Sequence, residues 1–170
     1  METAASPAAA SASPVTRLLD GLSQVCRAVA IAGLVIITAV QAWQVFGRYV
    51  LNDSPGWTEP VAVFFMALTV MLAGAVGVRE GTHFNFPNVR DALPDGVRRI
   101  VVALLHLLTL GVAVTLSVWG WMLAAATWDI HMAGAALPAG LRYLPLALGG
   151  SIMAVFALER LVASLRQAGS

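Results

Sequence analysis

Four long apolar stretches decide what this chain can fold into. None of them has a charged residue deep inside, and each approaches or exceeds the roughly 18 to 20 apolar residues of a membrane-spanning helix. The stretches are Ala28–Phe46, Val61–Val78, Ile100–Trp128 and Leu141–Leu158. Allowing for polar ends, we predict transmembrane helices over residues 28–46, 58–78, 98–128 and 141–161. The expected fold class is an all-α integral membrane protein.

The composition agrees with a membrane domain and leaves little room for a soluble one. Hydrophobic residues make up 59% of the 170 residues and charged residues only 11%, whereas a soluble domain carries about 25% charged residues. The net charge of +1 gives no sign of nucleic-acid binding. We therefore predict one four-helix membrane domain over residues 28–162.

The two ends of the chain differ from these spans. Residues 1–14 are rich in Ala, Ser and Pro and are predicted to form a disordered tail. Residues 15–27 place Leu18, Leu22 and Val25 at helical spacing beside polar residues. They are interpreted either as a short amphipathic segment at the membrane interface or as an extension of the first span. Residues 163–170 are predicted to be a cytoplasmic tail.

The arginines predict the orientation of the chain in the membrane. All ten Lys and Arg residues are Arg, and only Arg48 and Arg142 fall between spans one and two or between spans three and four. The others flank the remaining span ends. Because basic residues stay on the cytoplasmic side, we predict that both termini and the middle connection lie inside.

The connection between spans one and two is the outer loop of this topology. It runs from Arg48 and Tyr49 through turn-forming residues to Trp57 and Glu59. Glu59 suits the first turn of span two, where a carboxylate meets the positive end of a helix, and Arg48 complements the end of span one. Arg48 and Glu59 are expected either to pair across the turn or to be solvated independently.

An ordered set of residues in the first two connections resembles a known family. It consists of Arg-Tyr, Asn, Trp-x-Glu, a second span rich in small residues, and Arg-Glu-Gly-x-His. In this chain these are Arg48, Tyr49, Asn52, Trp57, Glu59, Arg79, Glu80, Gly81 and His83. The set is similar to the small membrane subunit of tripartite ATP-independent periplasmic (TRAP) transporters, the DctQ type.

The resemblance covers residues 28–161 and has two departures. The segment Tyr143-Leu144-Pro145-Leu146, preceded by Leu137-Pro138, also resembles the family's entry to span four. A second acidic residue, frequent in the family after Trp-x-Glu, is replaced here by Pro60. An acidic residue usual soon after the His is replaced around Pro87 and Asn88.

The resemblance implies a role and a set of partners. In such systems a large permease subunit holds the substrate and sodium sites, and a periplasmic binding protein delivers an organic acid such as a carboxylate or a sugar acid. The small subunit is then a static scaffold in the bacterial inner membrane, in contact with the large subunit and with lipids. The spans agree, since an ion path normally keeps embedded charges. No enzyme activity, cofactor or metal is expected, and the residues of the set are structural or interface candidates.

The sequence leaves two alternative functions open. A haem-binding anchor subunit of a respiratory enzyme needs two histidines at matched depth, and only His106 lies within a span. A small multidrug exporter needs a membrane-embedded Glu, whereas Glu59 lies at the mouth of a helix.

Overall fold

Four α-helices make up most of the molecule. The computed structural model describes residues 14–53, 55–81, 95–132 and 137–168. Within these ranges the helices are α1 (Pro14–Tyr49), α2 (Thr58–Glu80), α3 (Asp95–Ala126) and α4 (Leu144–Ala168), and a short 3₁₀ helix covers Ala139–Tyr143. All four are long and apolar enough to cross a membrane, which confirms the predicted fold class.

The helices extend beyond the predicted spans at several ends. Residues 15–27 are not separated from the first span: they are the opening turns of one continuous helix that begins at Pro14. The fourth helix likewise continues to Ala168, into the segment predicted to be a tail. Of the predicted N-terminal tail, only Pro14 lies within the described residues.

The helices pack in the order α1, α2, α4, α3. α1 packs on α2, α2 packs on α4, and α4 packs on α3. α2 and α4 are therefore the central helices, and α1 and α3 lie on opposite flanks. α3 is the least buried of the four spans, so most of its surface is free to face lipid or another protein.

Small residues bring the backbones of α3 and α4 close together. A Cβ atom on Gly150 would lie 2.7 Å from the backbone nitrogen of Ser117, and one on Gly120 would lie 2.5 Å from that of Ala147. Next to the Gly150 contact, the hydroxyl oxygens of Ser117 and Ser151 are 2.7 Å apart. The small residues of the fourth span thus serve packing inside the bundle, a question that their spacing alone leaves open.

The two ends of the bundle differ in chemistry. The turn end, which holds the α1–α2 turn and the 3₁₀ helix, has all five tryptophans in or near it: Trp43, Trp57, Trp119, Trp121 and Trp128. All five are exposed, as in an aromatic belt at a membrane interface. The opposite end, which we call the terminal end, holds the start of α1 and the ends of α2 and α4, and carries side chains joined in ion pairs.

The distance between the two ends matches a bilayer. α2 has 23 residues, which at about 1.5 Å per residue gives a length of about 34 Å. The hydrocarbon core of a membrane is about 30 Å thick. If the tryptophans mark one interface, the charged residues at the terminal end lie at the level of the other.

Candidate functional site

The terminal end brings together charged side chains from three helices. α1 contributes Asp20 and Arg27, α2 contributes Arg79 and Glu80, and α4 contributes Glu159 and Arg160. We call these six residues the charged cluster. Only Arg79 and Glu80 belong to the residue set predicted from the sequence.

Arg79 lies at the centre of the charged cluster and connects three helices. Its Nη2 is 2.8 Å from Asp20 Oδ1 on α1, and its Nε donates to Glu159 Oε2 on α4 at 3.1 Å. The guanidinium carbon also lies 5.4 Å from the ring centre of Phe156, a cation–π contact with a fully buried ring. With only 14% of its side chain exposed, Arg79 holds α1, α2 and α4 together where the apolar contacts end.

Arg160 closes the end of α2. Its Nε donates to the backbone oxygen of Arg79 at 2.6 Å, and its Nη2 donates to the same oxygen. Gly81 follows in the left-handed conformation, with φ of 72°, and its N–H bonds back to Val78. The carbonyl end of α2 is therefore capped by the guanidinium of Arg160 from α4. The side chain of Arg79 itself pairs with the carboxylates of Asp20 and Glu159.

The third ion pair of the charged cluster lies nearer the solvent. Arg27 of α1 pairs with Glu80 of α2, and 57% and 43% of these side chains are exposed. Exposed pairs contribute little to stability, about 0–1 kcal/mol. The pair therefore aligns the ends of the two helices more than it holds them together.

The other predicted residues lie at the turn end, about one membrane thickness away. Arg48, Tyr49, Asn52, Trp57 and Glu59 surround the α1–α2 turn, and all five are exposed. Arg48 and Glu59 do not pair: the described part of the chain has ion pairs only within the charged cluster. His83 lies outside the described residues.

Backbone hydrogen bonds, not charges, hold the turn together. Asp53 N–H donates to the oxygen of Gly47 at 3.0 Å, and the hydroxyl of the fully buried Thr58 donates to the oxygen of Pro55 at 2.8 Å. Asn52 takes a positive φ of 51°, which Asn tolerates better than most residues. The exposed side chains around the turn are thus left to face solvent, headgroups or another protein.

The two histidines that the structure describes lie in different environments. His106 Nδ1 lies 2.7 Å from the backbone oxygen of Val102, one turn earlier in α3. His131 lies in the connection before the 3₁₀ helix, in a bridge with Pro138. Among the described residues, no three His, Cys, Asp or Glu side chains converge in a way that could hold a metal ion.

Four members of the charged cluster were not predicted as site residues: Asp20, Arg27, Glu159 and Arg160. Arg27, Glu159 and Arg160 border apolar stretches and Asp20 lies in the segment before the first one, where charged residues are expected to be solvated. The available signal is that Glu159 and Arg160 directly follow the apolar stretch Leu141–Leu158, just as Arg79 follows the apolar stretch of span two. That signal cannot say which helices are neighbours.

Comparison with known proteins identifies the family. The model of the family described as "Tripartite ATP-independent periplasmic transporters, DctQ component" matches residues 34–167, most of the chain. This chain belongs to the DctQ family. The match begins within α1, runs through α2, α3 and most of α4, and includes the turn end and the α2 and α4 residues of the charged cluster.

A curated relative of this DctQ-family chain supports the same assignment. The sialic acid TRAP transporter small permease protein SiaQ of Vibrio cholerae serotype O1 is 29% identical over 82 residues. The matched stretch covers 48% of this chain and 44% of that protein. Family membership makes the chain a multi-pass membrane component of a transporter, and so disfavours the haem anchor and the drug exporter.

Proposed function

We propose that this chain is the static small subunit of a TRAP-type transporter in the bacterial inner membrane. It works with a large permease subunit, which holds the substrate and sodium sites, and with a periplasmic binding protein. The imported substrate is an organic acid such as a carboxylate or a sugar acid. The DctQ family match and the name of the Vibrio relative, which is a sialic acid transporter subunit, support this proposal.

One observation carries the scaffold role. Between Glu59 and Arg79, α2 has no charged side chain, and residues 28–47, 100–126 and 144–158 have none either. The buried part of the charged cluster connects helices of this chain to one another, at one end of the bundle. Ion and substrate paths keep polar or charged groups at membrane depth, and the spans of this chain offer packing surface instead.

The orientation is part of the proposal: both termini lie in the cytoplasm, so the charged cluster faces inward and the tryptophans face the periplasm. The arginine distribution supports it. On a Cys26-free background, an impermeant thiol reagent added to intact cells should label Asp53→Cys and His131→Cys and spare Asn88→Cys. Labelling of Asn88→Cys in intact cells would overturn the orientation.

The proposed partnership is tested by co-purification. A tagged chain expressed with its large permease should recover that permease in equal amount. Arg48→Ala should lower the recovery, because Arg48 is exposed and has no ion-pair partner within the described part of the chain. The same variant should leave the melting temperature of the isolated chain unchanged. Equal recovery of an unrelated membrane protein would contradict a specific partnership.

A further inference from the structure

A polar cleft opens between α1 and α4 at the terminal end. Both helices pack on α2, and a cleft of about 790 Å³ opens between them beside the end of α2. Charged residues line it on all sides: Asp20 and Arg27 from α1, Arg79 and Glu80 from α2, Glu159 and Arg160 from α4. The ion pairs described above do not fill this space.

The cleft spans two depths of the membrane. Its charged walls lie about 34 Å along α2 from Trp57, at the level of the lipid headgroups. Ala28 and Ile31 extend the α1 wall toward the turn end, where the hydrocarbon lies. A ligand that fills the cleft therefore needs a polar part at the level of the headgroups and an apolar part that extends toward the hydrocarbon. A membrane lipid has this arrangement.

Arg160 is the arginine of the cleft that has no carboxylate partner among the described residues. Its guanidinium is held in place by two donations to the oxygen of Arg79, yet no carboxylate oxygen lies within 4.0 Å of it among the described residues. Its charge is therefore oriented but not neutralised by an ion pair. A guanidinium in this state suits a phosphate, to which it donates through two parallel N–H groups.

The balance of charges selects the kind of headgroup. The cleft has three arginines and three carboxylates, so its wall is neutral overall. A lipid with net negative charge is attracted by the three arginines but repelled by the three carboxylates. Asp20, whose side chain is 58% exposed, can accept hydrogen bonds from an ammonium group. A headgroup that carries a phosphate and a primary ammonium matches both signs.

We propose that this cleft binds one zwitterionic aminophospholipid, with its phosphate on Arg160, its ammonium on Asp20 and an acyl chain along Ala28 and Ile31. The lipid fills the cleft between α1 and α4, two helices that each pack mainly on a third or fourth helix of the bundle. This site depends only on the membrane location of the chain and not on the transporter function proposed above.

Native mass spectrometry of the full chain, released from detergent with one lipid at a time, tests the site. Lipids with matched acyl chains and phosphoethanolamine, phosphocholine or phosphoglycerol headgroups are compared. We expect about fivefold stronger retention of the phosphoethanolamine lipid, because the other two lack the ammonium hydrogen bonds. Equal retention of the three lipids, or a preference for the anionic one, would overturn the proposal. Displacement by millimolar inorganic phosphate would overturn it too, since it would show a site for a free anion.

Two variants locate the site by different means. Arg160→Gln removes the phosphate anchor, and Ala163→Trp fills the cleft while it keeps every charge. Both should lower the retention of all three lipids and abolish the preference for the phosphoethanolamine lipid. Arg142→Gln, an exposed arginine at the turn end, is the matched control and should change nothing. Since Arg160→Gln also uncaps α2, unchanged retention in a folded Ala163→Trp chain suffices to refute the site. Loss of the lipid on assembly with the large permease would instead assign the cleft to a protein segment.

Discussion

Replacing Gly150 by leucine should force α3 and α4 apart. Its Cβ would lie 2.7 Å from a backbone nitrogen of α3, and a backbone cannot move aside as a side chain can. We expect a loss of about 3 kcal/mol in the free energy of unfolding, at the upper end of the usual cost of overpacking. Gly120→Leu should behave in the same way. Thermal unfolding of the purified chain in detergent, followed by tryptophan fluorescence, measures the loss.

Gly111→Leu is the matched control for this prediction. Gly111 lies on the same helix as Gly120, but a Cβ there would meet no heavy atom within 4 Å. Leucine at this position should gain up to about 1 kcal/mol, because glycine is a poor helix former. Equal melting temperatures for Gly150→Leu and Gly111→Leu would mean that α3 and α4 do not pack through these glycines.

Arg79→Ala should have the second large effect. The substitution leaves Glu159, whose side chain is 23% exposed, beside an apolar core without its cation, and it also releases Asp20. Breaking a buried ion pair costs about 3–5 kcal/mol, and the partial exposure here reduces the expected loss to about 2–3 kcal/mol. A double-mutant cycle with Glu159→Gln should show coupling of about 1–2 kcal/mol.

Arg48→Ala is the control for Arg79. Arg48 is exposed and forms no ion pair in the described part of the chain, so its loss should cost the isolated chain less than about 0.5 kcal/mol in the free energy of unfolding.

In the assembled transporter, Arg79→Ala and Glu59→Gln should lower the rate of uptake without changing its dependence on sodium concentration. A changed Hill coefficient for sodium would place these residues on the transport path.

The four spans were predictable because they depend on local properties. A helix that crosses a membrane must satisfy its own backbone and carry an apolar surface, and both requirements are visible in the length and composition of each stretch. Arg79 and Glu80 were singled out because they belong to the Arg-Glu-Gly-x-His pattern that resembles the family. The continuity of α1 through residues 15–27 was not decided, since an interfacial helix and an extended span share the same amphipathic spacing.

The contacts between helices were not predictable from one sequence. Arg79 meets Asp20 and Glu159, which lie 59 and 80 residues away along the chain, and this contact requires α2 to lie between α1 and α4. Nearness in sequence was a poor guide as well: Arg48 and Glu59 flank one short turn and do not pair. Small residues in span four showed that a close contact exists but not that its partner is α3.

Uptake by reconstituted proteoliposomes tests the scaffold assignment most directly. The purified chain alone, the large permease with the binding protein, and all three together are each supplied with the labelled organic acid and an inward sodium gradient. We expect no uptake above empty liposomes for the chain alone and full sodium-dependent uptake only when all three are present. Sodium-driven uptake by this chain without the large permease would contradict it.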